Sequence, residues 1–157
     1  MIPDYRVFAT ISSKLLRLRA NVNKQVKNFV NSNFNDYNIG VHIRTKKSVN
    51  EMIIPVEHYC QAVRMILLGK KEKSVSVFVA ADTNQGRGKL ADCLRHFLSR
   101  NNNSVKVVYM DNNMSIKNPL THNPGTEINA LVDMKLLSLC DDLVITYGSS
   151  FGFVAAG

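Results

Sequence analysis

Apolar residues recur at spacings of three and four from Ile11 through Leu15, Leu18, Val22 and Val26 to Phe29, with Lys and Arg between them. That period predicts a helix over residues 11–30 with one buried face. A polar stretch follows, and then Ile39-Gly40-Val41-His42-Ile43, a short β-branched run that reads as a buried strand. After Pro55, well suited to a first helical position, Val56, Tyr59, Cys60, Val63, Ile66 and Leu67 form one stripe, and Gly69 ends it. Val75 to Ala81 is a second strand, and Leu90, Leu94, Phe97 and Leu98 mark the inward face of the next helix. Val105 to Tyr109 is a third strand. The polar stretch from Asp111 to Gly125, with Pro119 and Pro124, reads as a long loop. Thr126 can cap a helix reaching about Leu139. Leu143-Val144-Ile145-Thr146 is a fourth strand, and Tyr147-Gly148-Ser149-Ser150 is a small-residue turn opening a last helix.

Strands alternating with helices predict an α/β fold: a mainly parallel sheet covered by helices on both faces. In such sheets ligands bind beyond the carboxyl ends of the strands. The residues expected there are His42 and Arg44 after the first strand, Asp82-Thr83-Asn84 after the second, Asp111 after the third and Gly148-Ser149-Ser150 after the fourth. The last group is the strongest local signal. Small residues let a ligand approach the backbone, and unpaired N–H groups at a helix start favour an anion such as a pyrophosphate. The plainer reading of the same residues is a serine helix cap.

Composition adds bounds. A chain of 157 residues suits one domain, and its net charge of +8 is either a solubilising surface or an attraction for a phosphorylated ligand. No aromatic platform or recognition motif accompanies the charge, which argues against nucleic acid as the partner. Cys60, Cys93 and Cys140 lie far apart without metal-ligand spacing, and read as small buried hydrophobes. No apolar run is long enough to cross a membrane, and no signal peptide is visible.

Individual residues carry two readings each. His42 and Arg44 share a strand face because side chains alternate. Arg44 offers a planar fork to phosphate oxygens, or pairs with a carboxylate. His42 holds a ribose hydroxyl or phosphate, or is a hydrogen-bonded core histidine. Asp82 holds a ligand or caps the next helix. Asp133 lies among Ile128, Leu131, Val132, Leu136 and Leu137, so its carboxylate needs a donor from the protein or from a ligand. Gln85-Gly86-Arg87-Gly88 is too slight for a phosphate loop. No Ser-His-Asp or Cys-His set and no metal-ligand cluster stands out.

Taken together, three segments resemble the motifs of fucosyltransferases in order: Ile39-Gly40-Val41-His42-Ile43-Arg44; Val77-Phe78-Val79-Ala80-Ala81-Asp82; and Asp133 through Leu136-Leu137-Ser138 and Asp141 to Ser149-Ser150-Phe151-Gly152-Phe153-Val154-Ala155. The third is most similar to the plant-type xyloglucan (galactoside) fucosyltransferases, and the opening Tyr5-Arg6-Val7-Phe8 also looks like that family. There are departures. Thr45-Lys46-Lys47 stands where many wider relatives continue Arg-Gly-Asp. His42 stands where plant-type members commonly have Gln. Ser150 replaces a Thr, and Tyr147-Gly148 replaces a different pair.

The resemblance implies residues 1–157 as one GDP-fucose-binding domain: the Rossmann-like, donor-binding half of a GT-B glycosyltransferase, cut at both ends relative to a full enzyme. It implies inverting transfer of L-fucose to a hydroxyl of a glycan acceptor. No metal is expected, and the localisation is the Golgi lumen, through a membrane anchor outside this chain. It places Arg44 as the pyrophosphate-binding, catalytic arginine. His42 falls near ribose or phosphate, and Asp82 belongs to the second motif. Asp133 stands against guanine or as a brace, and Ser149, Ser150 and Phe151 line the GDP pocket. The alternatives are a catalytically inactive nucleotide-sugar-binding module of the same fold and, ranked last, a basic nucleic-acid-binding domain.

Overall fold

The computed structural model describes residues 20–45, 53–70, 74–98, 104–110 and 124–156. In chain order the elements are α1 (Ala20–Asn33), β1 (Tyr37–Ile43), α2 (Val56–Leu68), β2 (Ser74–Ala81), α3 (Asn84–Leu98), β3 (Ser104–Val108), α4 (Pro124–Leu137), β4 (Asp142–Ile145) and α5 (Ser150–Ala156). The four strands form one sheet in the order β3-β2-β1-β4, every pair parallel. The chain steps from β1 outward to β2 and β3, then returns to the other side of β1 for β4. The strand order therefore reverses between β1 and β4.

Both faces of the central strands are covered, as expected of a parallel sheet. On one face Ile39, Val41 and Ile43 of β1 and Val75, Val77 and Val79 of β2 pack against Val56, Tyr59, Cys60, Val63 and Leu67 of α2 and Leu90 and Leu94 of α3. On the other, Phe78 and Ala80 meet Val22 and Val26 of α1, Val132, Leu136 and Leu137 of α4 and Ala155 of α5. Phe29 and Phe34 meet the Phe78 ring there, Phe29 edge-on at 5.5 Å between centroids. The alternation of side chains along β1 and β2 decides which helix each residue meets.

Element boundaries differ from the sequence reading in physically legible ways. β1 begins at Tyr37 because Tyr37 and Asn38 pair with Val75 and Ser76. The Asn38 N–H also donates to Asp141 Oδ2 at 2.8 Å and its carbonyl accepts from the Asp141 N–H at 2.8 Å, closing β1 against the start of β4. Pro55 is the N-cap of α2, not its first residue; its ψ of 143° is extended. Thr126 lies inside α4 and does not cap it, because Pro124 opens that helix, a position where the missing proline N–H costs nothing. Residues 11–19, Tyr5 to Phe8, Lys46 to Asn50 and the loop from Asp111 lie outside the described residues.

One expectation is corrected. Cys60 and Cys93 are not separate buried hydrophobes but a disulfide that ties α2 to α3, with Cα atoms 6.3 Å apart. Spacing along the chain could not show this, because the helices become neighbours only once both pack on the same sheet face. Cys140 is free, and burial pushes its thiol up to about 12, with Asp141 adding to the effect. No helix among the described residues is long and apolar enough to cross a membrane.

Candidate functional site

The reversal of strand order opens a crevice beyond the carboxyl ends of β1 and β4, where α/β sheets bind ligands. Thr146, the residue after β4, ties the two ends together. Its hydroxyl donates to the His42 carbonyl at 3.0 Å, accepts from the Arg44 N–H at 3.1 Å, and lies 2.7 Å from the Tyr59 hydroxyl. A threonine hydroxyl has one proton and two lone pairs, so Tyr59 is left to donate and Thr146 is fully used. Arg44 is thereby fixed at its backbone, and its half-buried side chain is near enough to His42 for its charge to act on that ring.

Across the crevice the chain turns through Tyr147-Gly148 into α5. Gly148 has φ of 78°, the only positive value among the described residues, and the left-handed turn it makes is open to glycine without strain. Ser149 is buried and Ser150 exposed at the helix start, while Tyr147 is 87% exposed. Phe151 lies on the His42 ring at 4.8 Å between centroids and 26° between planes. Gly152 makes that stack possible: a Cβ there would come within 2.9 Å of Ile145 Cβ and 3.4 Å of His42 Nδ1. The structure thus brings together five of the seven residues singled out in the sequence: His42, Arg44, Ser149, Ser150 and Phe151.

The His42 ring is buried, and burial lowers its pKa to about 4, with Arg44 lowering and Asp82 raising it. At neutral pH it is an uncharged hydrogen-bonding ring. His42 Nδ1 and Ser149 Oγ have no hydrogen-bond partner among the described residues. Each such buried group costs about 1–3 kcal/mol, a cost that folds tolerate most readily where a site needs the group.

Asp82, at the end of β2, lies beside this cluster in a bracing position. Its Oδ1 accepts from the Thr45 N–H at 2.9 Å and the Thr45 hydroxyl at 2.6 Å. It does not cap α3. That place belongs to Thr83, whose Oγ1 accepts from the Gly86 N–H at 3.2 Å. Asp82 therefore anchors the residue that follows Arg44.

Asp133 stands apart from the crevice, at the carboxyl ends of β2 and β3. Its partner is Arg87, in an ion pair of 3.7 Å with both side chains less than 10% exposed. The Arg87 hydrogen bonds go elsewhere, to the Ala81 carbonyl at 3.1 Å, the Met110 carbonyl at 3.4 Å and Asn84 Oδ1 at 3.3 Å. Burial raises the Asp133 carboxyl to about 7 against the pull of Arg87. Asp133 Oδ1 and Arg87 Nε have no partner among the described residues. Sequence reasoning missed Arg87, Thr146 and Tyr59. Arg87 carried a signal, because it shares the helical stripe of Leu90 and Leu94. Thr146 and Tyr59 carried none, because their meeting depends on β4 lying beside β1.

No protein-family model matches the chain, and no curated protein matches it. Solved structures do. A NodZ alpha-1,6-fucosyltransferase soaked with GDP-fucose (NodZ is from Bradyrhizobium) superposes with a TM-score of 0.63 at 22% identity, over 88% of this chain and 42% of that one. An Arabidopsis thaliana FUT1 mutant in complex with GDP gives 0.67 at 20%, over 98% and 34%. POFUT1 in complex with GDP gives 0.64 at 13%, over 96% and 46%. The chain spans less than half the length of each of these proteins. The likeness runs through bacterial NodZ and POFUT1 as well as the Arabidopsis protein, so it does not single out the plant xyloglucan type. What it establishes is the architecture: this chain has the GT-B-like Rossmann fold seen in fucosyltransferases.

Proposed function

We propose that the chain is the donor-binding half of a fucosyltransferase, binding GDP-fucose in the crevice between β1 and β4 for inverting transfer of L-fucose to a hydroxyl of a glycan acceptor. The observation that carries the reading is the convergence of His42, Arg44, Ser149, Ser150 and Phe151 at the point where the strand order reverses. Solved structures of the same fold with GDP or GDP-fucose bound support it.

In this reading Arg44 meets the pyrophosphate. As the bond from the fucose C1 to the β-phosphate oxygen breaks, negative charge grows on that oxygen. A guanidinium held at its backbone stabilises this charge without having to reorganise. Neutral His42 and the serine hydroxyls supply hydrogen bonds to ribose or phosphate. The His42–Phe151 stack sets the depth of the pocket. Asp82 acts through Thr45, keeping the Arg44 backbone in register. Asp133, with Arg87, is either the partner of the guanine edge or a brace behind it. No metal is required by this arrangement, since Arg44 and the turn amides supply the positive potential. The net charge of +8 favours encounter with a dianionic donor. The Cys60–Cys93 disulfide fits an oxidising compartment such as the Golgi lumen.

The test is calorimetric titration of the chain with GDP, with GMP and ADP as controls. The expected result is selective GDP binding that weakens about a hundredfold in Arg44→Ala, the loss of a charged, forked contact. A folded Arg44→Ala variant that keeps wild-type affinity for GDP would overturn the reading.

A further inference from the structure

Among the described tyrosines only Tyr59 is buried, at 3% exposure. Its ring packs with Val56, Cys60, Val63 and Leu67 of α2 against the sheet, a place where phenylalanine would serve the core as well. A hydroxyl taken there from water costs free energy unless it is paired. The pairing is with Thr146 Oγ1 at 2.7 Å, the same atom that accepts from the Arg44 N–H at 3.1 Å. Burial raises the phenol pKa, while Thr146 and the Arg44 backbone lower it, so both act at the phenol oxygen.

The phenol comes from the far side of the sheet. Phe151 and Ala155 of α5, which form one wall of the crevice, pack on the face covered by α1 and α4. Tyr59 belongs to α2, on the other face. That helix is a firm reference point, with five buried residues against the sheet and the Cys60–Cys93 disulfide to α3. The Thr146 hydroxyl has one proton and two lone pairs. With the phenol donating into one lone pair, its proton is left for the His42 carbonyl and its second lone pair for the Arg44 N–H. Such buried chains polarise one another and hold a single arrangement. Without the phenol proton the Thr146 hydroxyl is free to turn, and the Arg44 N–H loses a fixed acceptor. A shift of the backbone at Arg44 moves the guanidinium it carries, and small misplacements of a binding group are costly.

We propose that Tyr59 is a positioning residue for diphosphate recognition: through Thr146 it holds the Arg44 backbone where the guanidinium meets the second phosphate of the ligand. This rests on the GDP-fucose reading of the crevice, in which Arg44 takes the pyrophosphate. The contribution of Tyr59 therefore goes to GDP and not to GMP, and it vanishes when the Arg44 side chain is removed.

The experiment is a double-mutant cycle over Tyr59→Phe and Arg44→Ala, read by titration with GDP and with GMP. Tyr59→Phe keeps the ring and so the packing of α2. It is expected to weaken GDP binding about fivefold, the loss of one hydrogen bond, and to leave GMP binding unchanged. In the Arg44→Ala background it is expected to cost no further GDP affinity. A merely structural hydroxyl would instead weaken both nucleotides alike and add its effect to that of Arg44→Ala; either result overturns the proposal, as does a Tyr59→Phe chain with wild-type GDP affinity. Amide hydrogen exchange in the ligand-free chain supplies a readout that needs no nucleotide. The Arg44 amide is expected to exchange about fivefold faster in Tyr59→Phe, with the amide of Val41, paired on both sides within the sheet, unchanged. Unchanged exchange at Arg44 overturns the proposal whether or not GDP binds. The crevice reading fails separately, when a folded Arg44→Ala chain keeps wild-type GDP affinity. A wild-type chain that binds no GDP overturns the crevice reading and the diphosphate role together, while exchange still reads the hold of Tyr59 on Arg44.

Discussion

At the scale of single residues, the crevice depends on one hydroxyl and one missing methyl group. Thr146→Val leaves the Tyr59 hydroxyl, the Arg44 N–H and the His42 carbonyl without their shared partner. At about 1–3 kcal/mol for each unsatisfied buried group, discounted because Arg44 is half-buried and reaches water, the loss is about 2–4 kcal/mol. Urea denaturation is the measurement, and Thr146→Ser should recover most of the loss. If valine cost no more than a surface substitution, the hydroxyl would not be what joins β1 to β4. Gly152→Ala tests the other wall. The added Cβ meets Ile145 Cβ at 2.9 Å, an atom fixed to the backbone, so α5 must move away from the sheet. GDP affinity should fall more than stability does, because Phe151 leaves the His42 ring. These residues show what was legible in advance. His42 and Arg44 stood out as polar groups at the end of an apolar strand, and Ser149 and Ser150 as small hydroxyls at a helix start. Thr146 did not, because a threonine ending a strand is ordinary until its neighbour across the sheet is known.

At the scale of elements, the sequence reading found each strand and helix of the described residues: the strands as short apolar runs buried on both faces, α1 to α3 by one buried stripe of helical period, and α5 by the small-residue turn that opens it. It erred at ends, where pairing and prolines decide: β1 gained Tyr37 and Asn38 through pairing with β2, and α4 gained Pro124 and Gly125 ahead of Thr126. It erred also on Cys60 and Cys93, whose partnership is a contact between helices 33 residues apart. That disulfide has a calculable consequence. Closing a loop of this length restricts the unfolded chain by about 3–4 kcal/mol. The variant Cys60→Ala, Cys93→Ala should lose roughly that much in chemical denaturation, and reduction of the wild-type chain should lose a comparable amount. Because Cys60 is completely buried between α2 and the sheet, a further loss from the cavity is expected. The candidate crevice is built on β1, β4 and α5, and α2 reaches it through the Tyr59 hydroxyl, 2.7 Å from Thr146 Oγ1 and one residue before Cys60. GDP affinity of the folded variant should therefore stay near that of the wild type as long as Tyr59 keeps this contact. A large drop would mean that the disulfide holds Tyr59 against Thr146.

At the scale of the whole molecule, two buried titrating groups bend the stability of this fold in opposite directions with pH. His42 falls from 6.5 to about 4 on folding, chiefly by burial. Between those values the unfolded chain binds a proton that the folded chain refuses, so its contribution to stability rises with pH and is complete above about 6.5. Asp133 rises from 3.8 to about 7, again chiefly by burial. There the folded chain keeps a proton that the unfolded chain has released, so its contribution falls as pH increases and is lost above about 7. Over the shared window from about pH 4 to 6.5 the proton counts balance, and the two slopes cancel. The remaining carboxylates act alike in wild type and variants, so differences between chains isolate the pair. Asp133→Asn leaves His42 alone, and its stability relative to wild type should climb by about 1.4 kcal/mol per pH unit across the window. His42→Gln leaves Asp133 alone, and its relative stability should fall at about the same slope. Urea denaturation at about pH 4.5, 5.5 and 6.5 reads both. Parallel curves for wild type and both variants would mean that neither group is buried in the ionisation state assigned here. Opposed slopes would tie the compensation to function: His42 is then kept neutral beside Arg44, offering hydrogen bonds at the crevice without a second positive charge, while Asp133 offsets the resulting acid sensitivity from the far side of the sheet edge.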